Sequence, residues 1–186
     1  SLFMQIASES RALIVPRLIL ETFGSSTNGL VSSISQFLNY ITLVEGGITG
    51  VISANLYKPL VDGDNKKLSS VLTTARSFYR KIGVLFIGYS VVLGVVYPFL
   101  VDTDYEYWYV FALTLTLSIG LMLQYMFSLT FTTLLNADKK VYIVAFTGTV
   151  LTIANIILTL VVVNVYPDII VLKFASAILF VLQPIF

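Results

Sequence analysis

The sequence contains neither cysteine nor histidine. Disulfide bonds are therefore excluded, and the chain lacks both the commonest general base and the commonest metal ligand. No P-loop, GxGxxG motif or Ser/His/Asp arrangement occurs either. We therefore expect a protein that is not an enzyme, needs no cofactor and holds no metal.

Charged residues are also scarce. They make up 11% of the 186 residues, whereas a soluble domain carries about 25%. Hydrophobic residues make up 57%, and the mean hydropathy is +0.91. The net charge of +1 gives no field that would attract nucleic acid. This composition indicates a protein whose solvent is largely lipid.

Long apolar runs replace the missing charge. Crossing a bilayer takes a helix of roughly 20 mostly apolar residues, and residues 82–101, 107–137 and 141–167 each lack any charge. The runs show no alternation of period two, which argues against a β-barrel. We predict an all-α membrane protein, a bundle of about six transmembrane helices in one domain over residues 1–186. The predicted spans are about 2–22, 30–58, 70–101, 107–136, 141–164 and 168–186.

The links between these spans alternate in charge, which predicts their orientation. Lys66 and Lys67 lie in the second link, and Lys139 and Lys140 in the fourth. The third link carries acidic residues, and the first and fifth have no Lys or Arg. Since short cytoplasmic loops are rich in Lys and Arg, we predict that both ends of the chain lie in the cytoplasm. Residues 68–81 are polar enough that we expect the third helix to extend beyond the bilayer.

Polar side chains within the apolar runs are the candidates for function, because hydrocarbon cannot satisfy their hydrogen bonds. Two explanations remain open for the amides: a hydrophilic cavity between helices, or polar contacts that hold helices together. The charged candidates have simpler alternatives as well. Arg17 lies one turn from Glu21 and could pair with it, and Lys173 could extend to the membrane surface. The predicted substrate-binding residues are Arg17, Gln36, Asn39, Glu45, Gln124, Asn155 and Lys173.

Several stretches resemble the N-terminal region of bacterial polysaccharide repeat-unit flippases, within the multidrug, oligosaccharidyl-lipid and polysaccharide exporter superfamily. The likeness covers most of the chain, although residues 7–11 are more polar than the family leads us to expect. The stretches that carry it include Val15-Pro16-Arg17-Leu18, Asn28-Gly29-Leu30-Val31-Ser32-Ser33-Ile34, Leu56-Tyr57-Lys58-Pro59-Leu60 and Leu134-Leu135-Asn136-Ala137-Asp138.

The resemblance implies a fold and a function. Such transporters have two six-helix lobes around a central cavity, and they move undecaprenyl-diphosphate-linked oligosaccharides across the bacterial plasma membrane by alternating access. This chain would then be the N-terminal lobe, and we expect a C-terminal lobe of the same polypeptide as its partner, since residues 180–186 are still apolar. Arg17 would bind the diphosphate of the substrate. The alternatives are a multidrug antiporter of the same superfamily, with Glu45 as its titrating carboxylate, and a membrane scaffold that transports nothing.

Overall fold

A computed structural model describes residues 2–101 and 105–181, and the side chains of residues 15–43, 45–101 and 105–179. Every regular element in these ranges is a helix. The described part does not include Asp102 and Asp104 of the acidic third link, nor the side chains of Glu9 and Arg11. It also does not include the end of the predicted sixth span, at 182–186. The helices are α1 (Leu2–Asp62), α2 (Asn65–Leu100), α3 (Tyr107–Leu123), α4 (Leu129–Ala137), α5 (Val141–Val165) and α6 (Ile169–Val181). A π-helical segment, Gln124–Ser128, joins α3 to α4 without interruption.

The long helix α1 is broken at one residue. Gly24 has φ 84° and ψ 169°, a conformation that is essentially restricted to glycine. We call residues 2–23 the N-arm and residues 25–62 the C-arm. The break lies inside the predicted link between the first two spans, but helical geometry continues to Phe23 and resumes at Ser25. The nonhelical part of that link is therefore one residue long.

A tight turn reverses the chain between α1 and α2. Gly63, at φ 66°, follows the last residue of α1, and Asp64 caps α2 by accepting a hydrogen bond of 3.0 Å from the backbone N–H of Lys67. The C-arm and α2 then run antiparallel. The Tyr89 hydroxyl donates to the Phe37 carbonyl at 2.7 Å.

Helix α2 also runs antiparallel to the continuous helix formed by α3, the π-segment and α4. Phe111 packs on Gly94 near one end of this interface, and Met126 packs on Gly83 further along. At the other end the Tyr79 hydroxyl lies 3.2 Å from the Thr133 hydroxyl. The hydrophobic core follows this arrangement. Its largest fully buried side chains include Ile34, Leu38, Tyr79, Phe86, Tyr97, Leu113 and Leu172.

The two ends of the bundle carry opposite charge. At one end the Thr27 hydroxyl lies 2.7 Å from the Tyr105 hydroxyl, and Tyr109 interacts electrostatically with Asp168. The other end holds the turns at 63–64 and 138–140, with the lysines of the second and fourth links. Among the described residues, Asp168 therefore lies at the end opposite to the lysines of the second and fourth links.

The outer surface of the bundle is apolar over much of its length. Val84, Leu85, Val92, Phe99 and Phe146 are all exposed, as expected for side chains that face lipid. In the described part of the chain, four helices are long and apolar enough to cross a membrane: Val15–Asp62, Asn65–Leu100, Tyr107–Ala137 and Val141–Val165. Ile169–Leu179 is apolar but shorter. The all-helical, membrane-type architecture is confirmed at this level, and the count of six spans stays a prediction.

Helix α2 is longer than a bilayer requires. Its 36 residues extend over about 54 Å at 1.5 Å per residue, against a hydrocarbon core of about 30 Å. The uncharged stretch 82–101 is long enough to cross that core alone. The polar stretch 65–81 is helical as well, and the helix starts five residues earlier than the predicted boundary at 70. Its extension beyond the bilayer stays a prediction.

Candidate binding cavity

A cavity of about 460 Å³ lies among the N-arm, α3, the π-segment, α5 and α6. Its apolar wall comes from Val15 of the N-arm, Leu117 and Leu121 of α3, and Leu172 of α6. Gly120 leaves room at the α3–α6 contact, where a Cβ atom would meet the Ala177 Cβ at 3.5 Å. The small residues at 120 and 177 let these two helices approach closely.

Asn155 is the more deeply buried of the two amides that line the cavity. It lies on α5 with 2% of its surface exposed, and its Nδ2 atom has no hydrogen-bond partner among the described residues. Leaving a buried donor without a partner costs about 1–3 kcal/mol. Asn155 lines the cavity, so a ligand or a water molecule bound there could supply the missing partner.

Gln124 and Lys173 line the same cavity from two other elements. Gln124 is the first residue of the π-segment, and π-helical turns often occur at functional sites. Lys173 lies on α6, half-buried, one turn before Ser176. Two amides and one ammonium group thus come from three different helical elements.

The chemistry of this set favours a ligand rich in oxygen. Lysine supplies donors and a positive charge, and amides supply both donors and acceptors. Thr116 and Thr159 also line the cavity, but their hydroxyl hydrogens are donated to the carbonyls of Ala112 and Asn155. Their oxygens remain able to accept. An anion, which accepts hydrogen bonds, suits such a lining, and so does a sugar, which both donates and accepts them.

No family model, curated protein or solved structure matches this chain. The flippase resemblance noted from the sequence therefore stays a prediction.

The cavity brings together three of the seven predicted site residues, Gln124, Asn155 and Lys173. Gln36 and Asn39 are not among the residues that line it; both lie on the C-arm of α1 and are exposed. Their roles in binding stay predictions.

Arg17 also lies outside the cavity. Its Nε atom donates to Glu21 Oε1 at 2.8 Å, and the two side chains are 80% and 56% exposed. The pairing that the spacing of four residues suggested is confirmed. An exposed pair of this kind contributes little to stability, so the guanidinium remains accessible to another partner.

Glu45 is half-buried and belongs to a different polar group. Its Oε1 atom lies 2.6 Å from the Thr49 hydroxyl, and Thr49 contacts the Tyr79 hydroxyl at 2.9 Å. Tyr79 is a residue of α2 and is fully buried. The structure thus separates Glu45 from the cavity residues with which the sequence grouped it.

Three polar cavity residues, Thr116, Thr159 and Ser176, were missed from the sequence. Thr116 stands two helical turns before Gln124, with Gly120 between them, so steps of four residues could have revealed the face they share. Ser176 follows Lys173 by three residues, and this spacing indicates that the two side chains share a face of their helix. Short hydroxyl side chains are common in membrane helices as packing residues, and for this reason they did not stand out.

Proposed function

We propose that this chain is one helical lobe of a membrane transporter that carries a lipid-linked oligosaccharide across the bilayer by alternating access. The observation that carries the proposal is the cavity that Gln124, Asn155 and Lys173 line together. Polar and charged groups within membrane helices mark substrate pathways. The likeness to polysaccharide repeat-unit flippases in the sequence supplies the substrate class.

The size of the cavity limits what it holds. Pockets of about 300–1,000 Å³ take ligands the size of a drug molecule, so 460 Å³ accommodates a phosphate group or one or two sugar rings. A whole lipid-linked oligosaccharide requires a larger space. In our proposal a second lobe completes that space, and the exposed Gln36, Asn39 and Arg17 face it.

The orientation of the lobe follows from the charge of its two ends. The end with Lys66, Lys67, Lys139 and Lys140 faces the cytoplasm in our proposal, since positive loops stay inside. The chain has no cysteine, so single cysteines can be introduced without background. Cysteine at Tyr166 labels in intact cells with an impermeant reagent, and cysteine at Gly63 labels only after permeabilisation. The opposite pattern contradicts the orientation.

Transport itself is tested in proteoliposomes with the full-length protein and a fluorescent undecaprenyl-diphosphate disaccharide. Asn155→Leu replaces the buried amide with an apolar side chain of similar size. We expect the rate of flipping to fall about tenfold or more, as for the loss of one or two hydrogen bonds to a ligand. Lys173→Met, which keeps the length of the side chain and removes its charge, has the same expected effect.

Asn164→Leu is the matched control. Asn164 lies on the same helix and is exposed, and within the described part of the chain it donates to the carbonyl of Leu160. It should transport at the wild-type rate. Wild-type flipping by both Asn155→Leu and Lys173→Met would show that the cavity takes no part in transport, and absence of flipping by the unaltered protein would end the proposal.

A further inference from the structure

An open pocket of about 640 Å³ lies on one face of α2, where the helix passes into the uncharged stretch 82–101. Its lining consists of polar side chains and one valine, all of them exposed: Thr73, Arg76, Ser77, Arg80, Lys81 and Val84. Three of these six residues are positively charged, and none of the six is acidic. The pocket is therefore a concentrated positive surface on a single helix.

The charges of this pocket are not neutralised within the described part of the chain. Three ion pairs occur there, and none of them includes a cation of the pocket. The Nζ atoms of Lys67 and Lys140, at the same end of the bundle, lie 3.1 Å and 2.6 Å from carboxylate oxygens. Arg76 and Arg80 stand one turn apart instead, and like charges at this spacing destabilise a helix. An anion bound between them would remove this repulsion.

The position of the three cations along α2 corresponds to the depth of lipid headgroups. The stretch 82–101 covers about 30 Å at 1.5 Å per residue, which is the thickness of the hydrocarbon core. With this stretch in the hydrocarbon, Lys81 stands at its edge and Arg76 stands about 9 Å before Ile82. The headgroup layer is about 5–7 Å thick on each side. The long cationic side chains can therefore reach lipid phosphate groups.

The same face of α2 becomes apolar within the hydrocarbon and stays open. Val84, Gly88, Val91 and Val95, which we call the apolar strip, follow Ser77 at steps of three, four or seven residues, so they share its face. All four residues of the strip are exposed, and a Cβ atom at Gly88 would meet nothing within 4 Å. A free phosphate would use only the pocket, whereas a phospholipid would also lay an acyl chain along the strip. The strip therefore favours a lipid.

We propose that Arg76, Arg80 and Lys81 bind the phosphate group of an anionic phospholipid at the lysine-rich end of the bundle, with an acyl chain against the apolar strip. Guanidinium groups suit phosphate oxygens because their planar fork donates two parallel hydrogen bonds. The Ser77 hydroxyl, which lies between the two arginines in the sequence, adds a further donor. The site does not depend on what the protein transports, but it does require α2 to cross the membrane.

Native mass spectrometry of the full-length protein in uncharged detergent micelles tests this site. Phosphatidylglycerol should bind more tightly than phosphatidylcholine, whose headgroup carries no net charge. Each basic residue near an anionic surface contributes about a fivefold preference. Arg76→Gln combined with Arg80→Gln should therefore weaken the binding of phosphatidylglycerol about 25-fold and leave the binding of phosphatidylcholine unchanged.

Lys139→Gln combined with Lys140→Gln is the matched control. This pair removes the same charge from the same end of the bundle, but neither lysine lines the pocket. Its affinity for phosphatidylglycerol should stay close to that of the wild type. Glycerol phosphate is the second control, because it carries the phosphate without acyl chains. It should not displace the bound phosphatidylglycerol.

Three results would overturn the proposal. Equal loss of binding in the two double variants would show a general attraction of anionic lipid to this end of the bundle. Displacement of the lipid by an equal concentration of glycerol phosphate would show a site for free phosphate. Equal binding of phosphatidylglycerol and phosphatidylcholine by the wild type would show that the pocket does not recognise headgroup charge. If the double arginine variant does not fold, Arg76→Gln and Arg80→Gln are measured singly, and wild-type affinity in both would refute the site.

Discussion

A close contact at a glycine of α2 gives the sharpest test of the fold. At Gly94 of α2, a Cβ atom would lie 2.9 Å from Cδ2 and 3.3 Å from Cε2 of Phe111. Carbon atoms pack best at about 3.5–4.0 Å, so in Gly94→Ala the ring must withdraw by about 0.6 Å or more. The ring is already in edge contact with Trp108, with centroids 6.0 Å apart. Its withdrawal therefore also alters the contact with Trp108.

The expected energy has two parts of opposite sign. Overpacking of this kind costs about 1–3 kcal/mol, whereas replacing glycine by alanine within a helix gains up to about 1 kcal/mol. The same substitution at Gly88 measures the gain without the steric cost. Gly88 lies on the same helix, and a Cβ atom there would have no neighbouring atom within 4 Å. Gly88→Ala should therefore stabilise slightly. Gly94→Ala should be less stable than Gly88→Ala by about 1–3 kcal/mol.

The assay is equilibrium unfolding of both variants and the wild type in mixed micelles, followed by circular dichroism. If α2 and α3 pack as described, the two alanine variants differ by the steric cost alone. A difference below about 0.5 kcal/mol, within the range of ordinary surface substitutions, would show that Phe111 does not pack on Gly94. The antiparallel pairing of α2 with α3 would then need revision.

Three further predictions concern the ends of the helices. Gly24→Ala should destabilise the chain by about 1–3 kcal/mol, because alanine is strained at φ 84°, and unfolding in micelles measures this loss. Thr27→Val removes the bond to Tyr105 and should cost about 0.5–1.5 kcal/mol in the same assay; wild-type stability would mean that the contact is absent. Asp64→Ala removes the cap of α2 and should lower the melting temperature. The bonds from Lys67 lower the pKa of Asp64, so its contribution is present above the unfolded pKa, near 3.9, and is lost as pH falls through the lower folded value. Wild type and Asp64→Ala should therefore converge in acid, and a constant difference would contradict the cap.

The helices themselves could be predicted from the sequence, because the apolar runs are long and the charges fall between them. The end of α2 at Leu100 and the start of α3 at Tyr107 lie within one residue of the predicted boundaries. The predicted start of α2, at residue 70, was less accurate, because the helix begins at Asn65. Hydropathy marks where a helix leaves the lipid, whereas the cap at Asp64 determines where it begins.

The grouping of the site residues could be predicted only in part. The structure places Gln124 and Asn155, two amides on different helical elements, in one cavity. Gln36 and Asn39 share a face of the C-arm by their spacing of three residues, but they lie outside that cavity. Periodicity reports which residues share a face of one helix, and it carries no information about which neighbouring helix covers that face.

The one-turn widening at Gln124–Ser128 has a consequence for how the chain tolerates changes in length. A π-turn contains one residue more than the α-helix around it needs. Deleting a residue elsewhere in an α-helix rotates everything beyond the deletion by about 100° and moves core side chains to the surface. Deleting the exposed Phe127 instead turns the π-turn into ordinary α-helix, and Thr133 beyond it keeps its place against Tyr79. Natural variants of this protein that are one residue shorter should have lost that residue here, and with it the bulge that presents Gln124 to the cavity.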